Sequence, residues 1–205
     1  MIAIVDYGLG NPASIKNMIK KTGHRAEITR DPSVIESASK LILPGVGAFD
    51  NGMNNLNEFD LATLLNKKVL QDKIPVLGIC LGMQLMTRSS EEGVLPGLGW
   101  IDAQTVKFKF DDTSKRHPVP HMGWEYTSKI KESRLLRGMY TSPRFYFVHS
   151  YYIKCDRAED VLTQTNYSFD FVSGFEKENI LGVQFHPEKS HKFGMLLLKN
   201  FVELY

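Results

Sequence analysis

The chain has 205 residues, 42% hydrophobic and 23% charged, with a formal net charge of +2, which predicts one globular domain over residues 1–205 with a single core. That balance gives no electrostatic reason to expect nucleic acid or an anionic membrane as a partner, and no apolar run approaches the roughly 20 residues that span a bilayer. The two cysteines, Cys80 and Cys155, make no disulfide framework, and Met1–Asp6 meets a charge too early for a secretory leader, so a reducing, cytoplasmic setting is expected.

Residues 2–6 read as a short apolar strand. Tyr7-Gly8-Leu9-Gly10-Asn11 is a turn, and Pro12 suits the first position of a helix in which Ile15, Met18 and Ile19 recur at helical spacing and which stops near Gly23. A second strand over about 25–29 leads to Asp31-Pro32, a cap followed by proline, which opens a short helix. Lys40–Pro44 is a third strand, closed by Gly45-Val46-Gly47, and a helical stretch carrying Leu61, Leu64, Leu65 and Val69 runs to about residue 71. A fourth strand feeds Cys80. Strand alternating with helix in this way predicts an α/β fold, a mixed but largely parallel central sheet flanked by helices.

The second half reads differently. Residues 94–130 are rich in Gly, Pro and aromatics, with only short β-like pieces such as 103–110. Arg144–Lys154 reads as one strand and 160–165, 170–175 and 180–185 as others, so additional antiparallel strands are expected there. An amphipathic helix over about 190–203 closes the chain, and Asp111–Arg116 reads as a solvated loop of mixed charge.

Chemistry centres on Pro75–Leu85, an apolar run that passes through Gly78-Ile79-Cys80-Leu81-Gly82 into a helical pattern. Gly-x-Cys-x-Gly at a strand-to-helix junction is the thiol form of a nucleophile elbow, with the cysteine exposed at its apex and its sulfur at a helix N-terminus that favours thiolate. Taken alone it also fits a buried cysteine at a Gly-rich strand end; Cys155 has no such frame and reads as structural. A thiol nucleophile needs a base and an orienting group. His186-Pro187-Glu188 offers both, because residues i and i+2 of an extended segment project to one side and Pro187 stiffens the spacing. A surface hydrogen-bonded His–Glu pair is the plainer account of that tripeptide by itself. For an oxyanion, the N–H of Leu81 is one donor, and Val46 or Gly47 of Pro44-Gly45-Val46-Gly47 supplies a second if that peptide rotates.

Gly78–Gln84, His186-Pro187-Glu188 and Pro44-Gly45-Val46-Gly47 together resemble the class I, triad-type glutamine amidotransferases. The order Cys…His-x-Glu differs from the Ser…Asp…His order of α/β-hydrolases. Within that family, Asp6–Asn11, Gly45–Phe49, Pro120–Trp124, Phe147–Tyr151 and His186–Ser190 are similar to the glutaminase subunits of imidazole glycerol phosphate synthases along nearly the whole chain. The resemblance implies a flavodoxin-like sheet and L-glutamine as substrate. Cys80 would attack the side-chain amide, with His186 as base and then acid, oriented by Glu188. Gln84 and Glu92, with the backbone around Ser150 and Tyr151, would hold the amino-acid end of glutamine. Asn11, Ser14, Trp124, Tyr146 and Lys189 fall where this family meets its (β/α)8 cyclase subunit, which implies a heterodimer. Trp124 also fits a core aromatic.

No cofactor is implied, and the Cys and His spacings hold no metal-ligand pattern. Free ammonia in neutral water becomes ammonium, which is not nucleophilic, so it needs a protected route. With glutaminase features running from Gly8 to Lys189, the acceptor chemistry is expected on another chain. Two positions depart from the family: Glu125 follows Met122-Gly123-Trp124 where asparagine is usual, and Pro12 stands where an apolar residue is common. Glu188–Gly194 also resembles paralogues that supply ammonia for sugar amidination in bacterial surface-polysaccharide synthesis. Histidine biosynthesis is the first reading and that pathway the alternative. A catalytically silent binding module and a cysteine hydrolase are the readings from other classes.

Overall fold

The computed structural model describes residues 1–110 and 117–205; the loop expected at Asp111–Arg116 lies outside the described residues. β1 (Ile2–Val5), β2 (Ala26–Thr29), β3 (Lys40–Leu43) and β4 (Val76–Ile79) are short; β1, β3 and β4 are almost wholly apolar, the composition of parallel strands covered on both faces, whereas β2, at the sheet edge, carries Glu27 and Thr29. Alternation along them divides the core. Ala3, Val5, Leu41, Leu43 and Val76 face one apolar layer, whereas Ile2, Ile4, Ile42, Leu77 and Ile79 face the other.

The first layer is roofed by α2 (Pro32–Ser37), α3 (Phe49–Glu58), α4 (Leu61–Asn66) and α5 (Leu81–Leu85), through Ile35, Phe49, Leu56, Leu61, Leu65 and Leu85. The second is roofed by α1 (Pro12–Lys21) and α6 (His191–Leu204), through Ile15, Ile19, Leu197, Leu198 and Phe201. Each such side chain, fully buried, contributes about 1.5–3 kcal/mol. Helix starts follow the capping signals: the Asn11 and Asp31 side chains accept the N–H groups of Ser14 and Ser33 at 3.2 and 2.8 Å, with proline at the next position in both helices.

The remaining strands are β5 (Ala103–Lys107), β6 (His121–Lys129), β7 (Arg144–His149), β8 (Tyr151–Cys155), β9 (Val161–Tyr167), β10 (Phe169–Lys177) and β11 (Ile180–Val183). They extend the sheet in the order β2-β1-β3-β4-β11-β10-β9-β6-β7, with β8 and β5 branching from β10. Pairing is parallel from β2 to β11 and antiparallel beyond it.

Two expectations are corrected. Arg144–Lys154 is not one strand: it breaks at Ser150, because β7 pairs with β6 while β8 pairs with β5 and β10, and one straight segment cannot join both branches. Within 94–130, residues 121–129 form a nine-residue strand rather than scattered pieces. Its pattern is inverted, with His121 and Thr127 buried and Met122, Trp124 and Tyr126 exposed, so hydrophobicity marks the outer face instead of the core. Among the described residues, no helix is long and apolar enough to cross a membrane.

Candidate active site

Cys80 stands between β4 and α5 with φ 53° and ψ −109°, a backbone conformation that side-chain-bearing residues rarely hold without surrounding constraint. The two glycines supply that constraint by permitting close contact. A Cβ on Gly78 would lie 2.8 Å from the Met83 backbone, and one on Gly82 would lie 1.8 Å from the Leu43 carbonyl oxygen. The elbow is therefore tight, but its apex is not exposed as the motif suggested: Cys80 is 6% accessible. Its N–H donates to the Val183 carbonyl at 2.8 Å, which ties the elbow to the neighbouring strand.

That neighbour leads to His186, the residue expected to act as base. Ile79 lies opposite Val183 in the parallel β4–β11 register, so a residue just past each strand reaches the same sheet edge, and Cys80 meets His186 there. The imidazole Nδ1 is 2.7 Å from Glu188 Oε1, with both side chains buried. The tripeptide achieves this differently from the extended geometry expected. His186 is extended, but Pro187–Lys189 turns into a 3-10 helix that swings the carboxylate back under the ring. Donation from Nδ1 to the carboxylate leaves Nε2 for the thiol. Nε2 is buried without a hydrogen bond of good geometry, as is Glu188 Oε2. Burial opposes the imidazolium, yet hydrogen bonding and charge from Cys80 and Glu188 outweigh it and raise the His186 pKa above its ordinary value. By contrast, burial pushes the Cys155 thiol up to about 12, with help from Asp160 and Asp156, which leaves it inert at neutral pH.

A cavity of about 170 Å³ opens on Cys80, lined also by Val46, Gly47, Leu81, Gln84, Glu92, Val148, His149, Ser150 and Tyr151. All four residues expected to hold glutamine and all three expected around the oxyanion thus share one pocket with the thiol. Glu92 is anchored by the Phe49 N–H at 2.9 Å. The groups expected to form an oxyanion hole are not assembled into one, however. The Leu81 N–H donates to the Gly45 carbonyl at 3.3 Å, and Gly47 holds φ +135°, a value that leaves rotation to glycine. Roomier surface grooves elsewhere, such as that between Thr127 and the Arg134–Tyr140 turn, contain no thiol, so size does not select the site.

Sequence reasoning missed two features of the pocket. Gln184, fully buried, donates to Cys80 Sγ at 3.6 Å and accepts from Gln84 Nε2 at 3.1 Å; a glutamine inside the apolar run Ile180–Phe185 was the available signal. His149, the last residue of β7, lines the pocket, donates from Nδ1 to the Tyr151 carbonyl at 2.7 Å and meets His121 at 2.9 Å.

The residues expected to meet a partner gather around one surface. Trp124 is 38% exposed and stacks on His191 at 5.3 Å between ring centroids, with Tyr146 edge-on to it at 6.1 Å. The Lys189 ammonium lies 5.5 Å above the Tyr146 ring, so Trp124 is no core aromatic. Asn11 and Ser14 sit at the start of α1, which packs against the Pro187–Lys189 turn.

Comparison with known proteins places the chain in a family. Residues 3–204 match the model of the family described as glutamine amidotransferase class-I. The chain is 57% identical over 203 residues to imidazole glycerol phosphate synthase subunit HisH 2 of Methanococcus maripaludis, covering 99% of both chains. It is 50% identical over 204 residues to the subunit of the same name in Pseudomonas aeruginosa, covering 100% of both. Among solved structures, one described as a glutamine amidotransferase shares the fold with a TM-score of 0.76 at 19% identity, over 99% of this chain and 97% of that one.

Proposed function

Because this chain belongs to the class-I glutamine amidotransferases, we propose that it is the glutaminase subunit of an imidazole glycerol phosphate synthase, releasing ammonia from glutamine for a (β/α)8 cyclase subunit in histidine biosynthesis in the cytoplasm. The observation that carries the chemistry is the buried pair His186–Glu188 set behind Cys80, whose thiol lines a pocket just large enough for a small substrate.

In this reading His186 Nε2 takes the thiol proton while Glu188 stabilises the imidazolium. Cys80 Sγ bonds to the glutamine side-chain carbon, and the former carbonyl oxygen carries the negative charge. Collapse of that intermediate expels ammonia with the proton returned by His186 and leaves a thioester. A water deprotonated by His186 then cleaves the thioester, which frees glutamate and the thiol. Gln84, Glu92 and the Ser150–Tyr151 backbone hold the amino-acid end of the substrate. Trp124, Tyr146 and Lys189, with Asn11 and Ser14, form the partner-facing surface.

The same chemistry also serves a second pathway, in which the barrel partner feeds a sugar amidotransferase; its support is the resemblance of Glu188–Gly194 to paralogues of that kind. Glu125 does not separate the two, because it lies on the face of β6 opposite Trp124, its Oε1 3.7 Å from His121 Nε2. Co-purification of the chain from its own cells, with identification of the bound barrel and its acceptor ligand, separates the two. Glutamate release that depends on that partner and vanishes in Cys80→Ala supports the glutaminase assignment in either case. Rapid release by the chain alone would contradict the coupled model.

A further inference from the structure

We propose that Gln184 is a positioning residue that stabilises the thiolate of Cys80, a role that rests on reading Cys80 as the nucleophile. The amide orientations follow from the network and do not need to be chosen. The Tyr151 carbonyl can only accept, so the group of Gln84 that faces it at 3.3 Å is the NH2 of Nε2. That same nitrogen lies 3.1 Å from Gln184, so the Gln184 atom facing it is the acceptor, Oε1. The Gln184 NH2 is then left pointing the other way, at Cys80 Sγ, 3.6 Å off.

The sulfur has one other polar neighbour besides the histidine. The Val148 carbonyl is 4.0 Å away, placed to accept the S–H. When the thiol is protonated, S–H points at Val148 and the Gln184 N–H meets a weak sulfur acceptor. When the proton leaves for His186, the carbonyl contact turns unfavourable, and the N–H faces a full negative charge on a sulfur whose residue is only 6% accessible. Hydrogen bonds to a charged group are the strong ones, so Gln184 favours the ionised form. A donor is needed here because α5 is only five residues long and brings little helix dipole to the sulfur.

Gln184 is held for this task. It is fully buried one residue past β11, and its backbone N–H donates to the Ser173 carbonyl at 2.9 Å. Its Oε1 accepts from Gln84 Nε2 at 3.1 Å, which fixes the direction of its NH2.

The test is alkylation of Cys80 by iodoacetamide across pH in the full chain, with glutamine absent. Relative to wild type, Gln184→Met removes both amide donors at similar length. It is expected to slow alkylation at neutral pH roughly tenfold. With the partner bound, kcat should fall and KM for glutamine should hold, because Gln84 keeps its bond to Tyr151. A folded Gln184→Met chain with an unchanged alkylation profile would overturn the proposal. Should that variant not fold, the wild-type chain decides: a Gln184 side-chain N–H resonance is expected to shift as Cys80 ionises and to stay still in Cys80→Ala, and a resonance that stays still in both overturns it. Absence of glutamate release in the partnered wild type would instead sink the glutaminase reading and leave the alkylation result standing.

Discussion

The backbone N–H of Leu81, the residue after the proposed nucleophile, donates to the carbonyl of Gly45 at 3.3 Å. One donor that a tetrahedral intermediate requires is therefore engaged within the protein. Completing the hole requires the Gly45–Gly47 segment to turn, and loss of one oxyanion donor slows acyl transfer about 10²–10³-fold. Glutamate release by the chain alone is expected to be slower than in the partnered enzyme by at least that factor. Val46→Pro, which deletes a donor at the segment that must turn, should abolish the stimulation while partner binding persists. Equal turnover with and without partner in a steady-state glutamate assay would contradict this.

Glu188 is buried against His186 at 2.7 Å. Glu188→Gln keeps the shape but cannot stabilise an imidazolium, so kcat is expected to fall roughly 10²–10⁴-fold. The same change should lower the His186 pKa, because the carboxylate is among the groups that raise it. An NMR titration of the ring reads that shift, and an unmoved resonance would remove Glu188 from its orienting role.

His121 and His149 give the fold an acid limit. Burial lowers the pKa of His121 to about 4 and that of His149 to about 3, the latter against the opposing hydrogen bond to Tyr151. Both stay neutral in the folded chain at pH values where the unfolded chain, with histidine near 6.5, takes up protons. Between about 6.5 and 4 the unfolded state thus binds more protons, and stability falls as pH falls. Above 6.5 this contribution is constant. Guanidinium unfolding midpoints from pH 7.5 to 4.5 should decline on that limb, and His121→Asn should make the decline shallower. A flat profile would show that these histidines ionise freely in the folded state.

Gly82 has no room for a side chain, since a Cβ would lie 1.8 Å from the Leu43 carbonyl oxygen. Gly82→Ala must push α5 away from β3. The expected loss is about 1–3 kcal/mol, visible as a lower denaturation midpoint, together with displacement of Cys80 and loss of activity. A variant as stable and active as wild type would mean the elbow yields more easily than this contact implies.

Trp124 projects from β6 onto the outer surface, stacked on His191. A large aromatic held at a surface by a parallel neighbour is the kind of anchor that dominates interfaces. Trp124→Ala is expected to weaken association with the barrel subunit at least tenfold, by calorimetry, and to leave the free chain's melting temperature within a few degrees.

Local order in the sequence was sufficient for the parallel half. Apolar quartets, proline-led helices and the Gly-x-Cys-x-Gly turn act over a few residues, and their partners are dictated by burial on both faces of each strand. Cys80, His186 and Glu188 were legible as types and as an order along the chain. β6 was not, because its apolar residues face outward, and the break at Ser150 was not, because it depends on which branch each half joins. What only the folded chain decided is which groups surround the sulfur. The β4–β11 register sets His186 beside Cys80, a 3-10 turn returns Glu188 to the ring, and the polarity of a buried amide chain aims Gln184 at the thiol. Each of these is a relation between segments far apart in sequence. Propensity and periodicity describe neighbours along the chain, and the directions of hydrogen bonds between strands appear only when the sheet has closed.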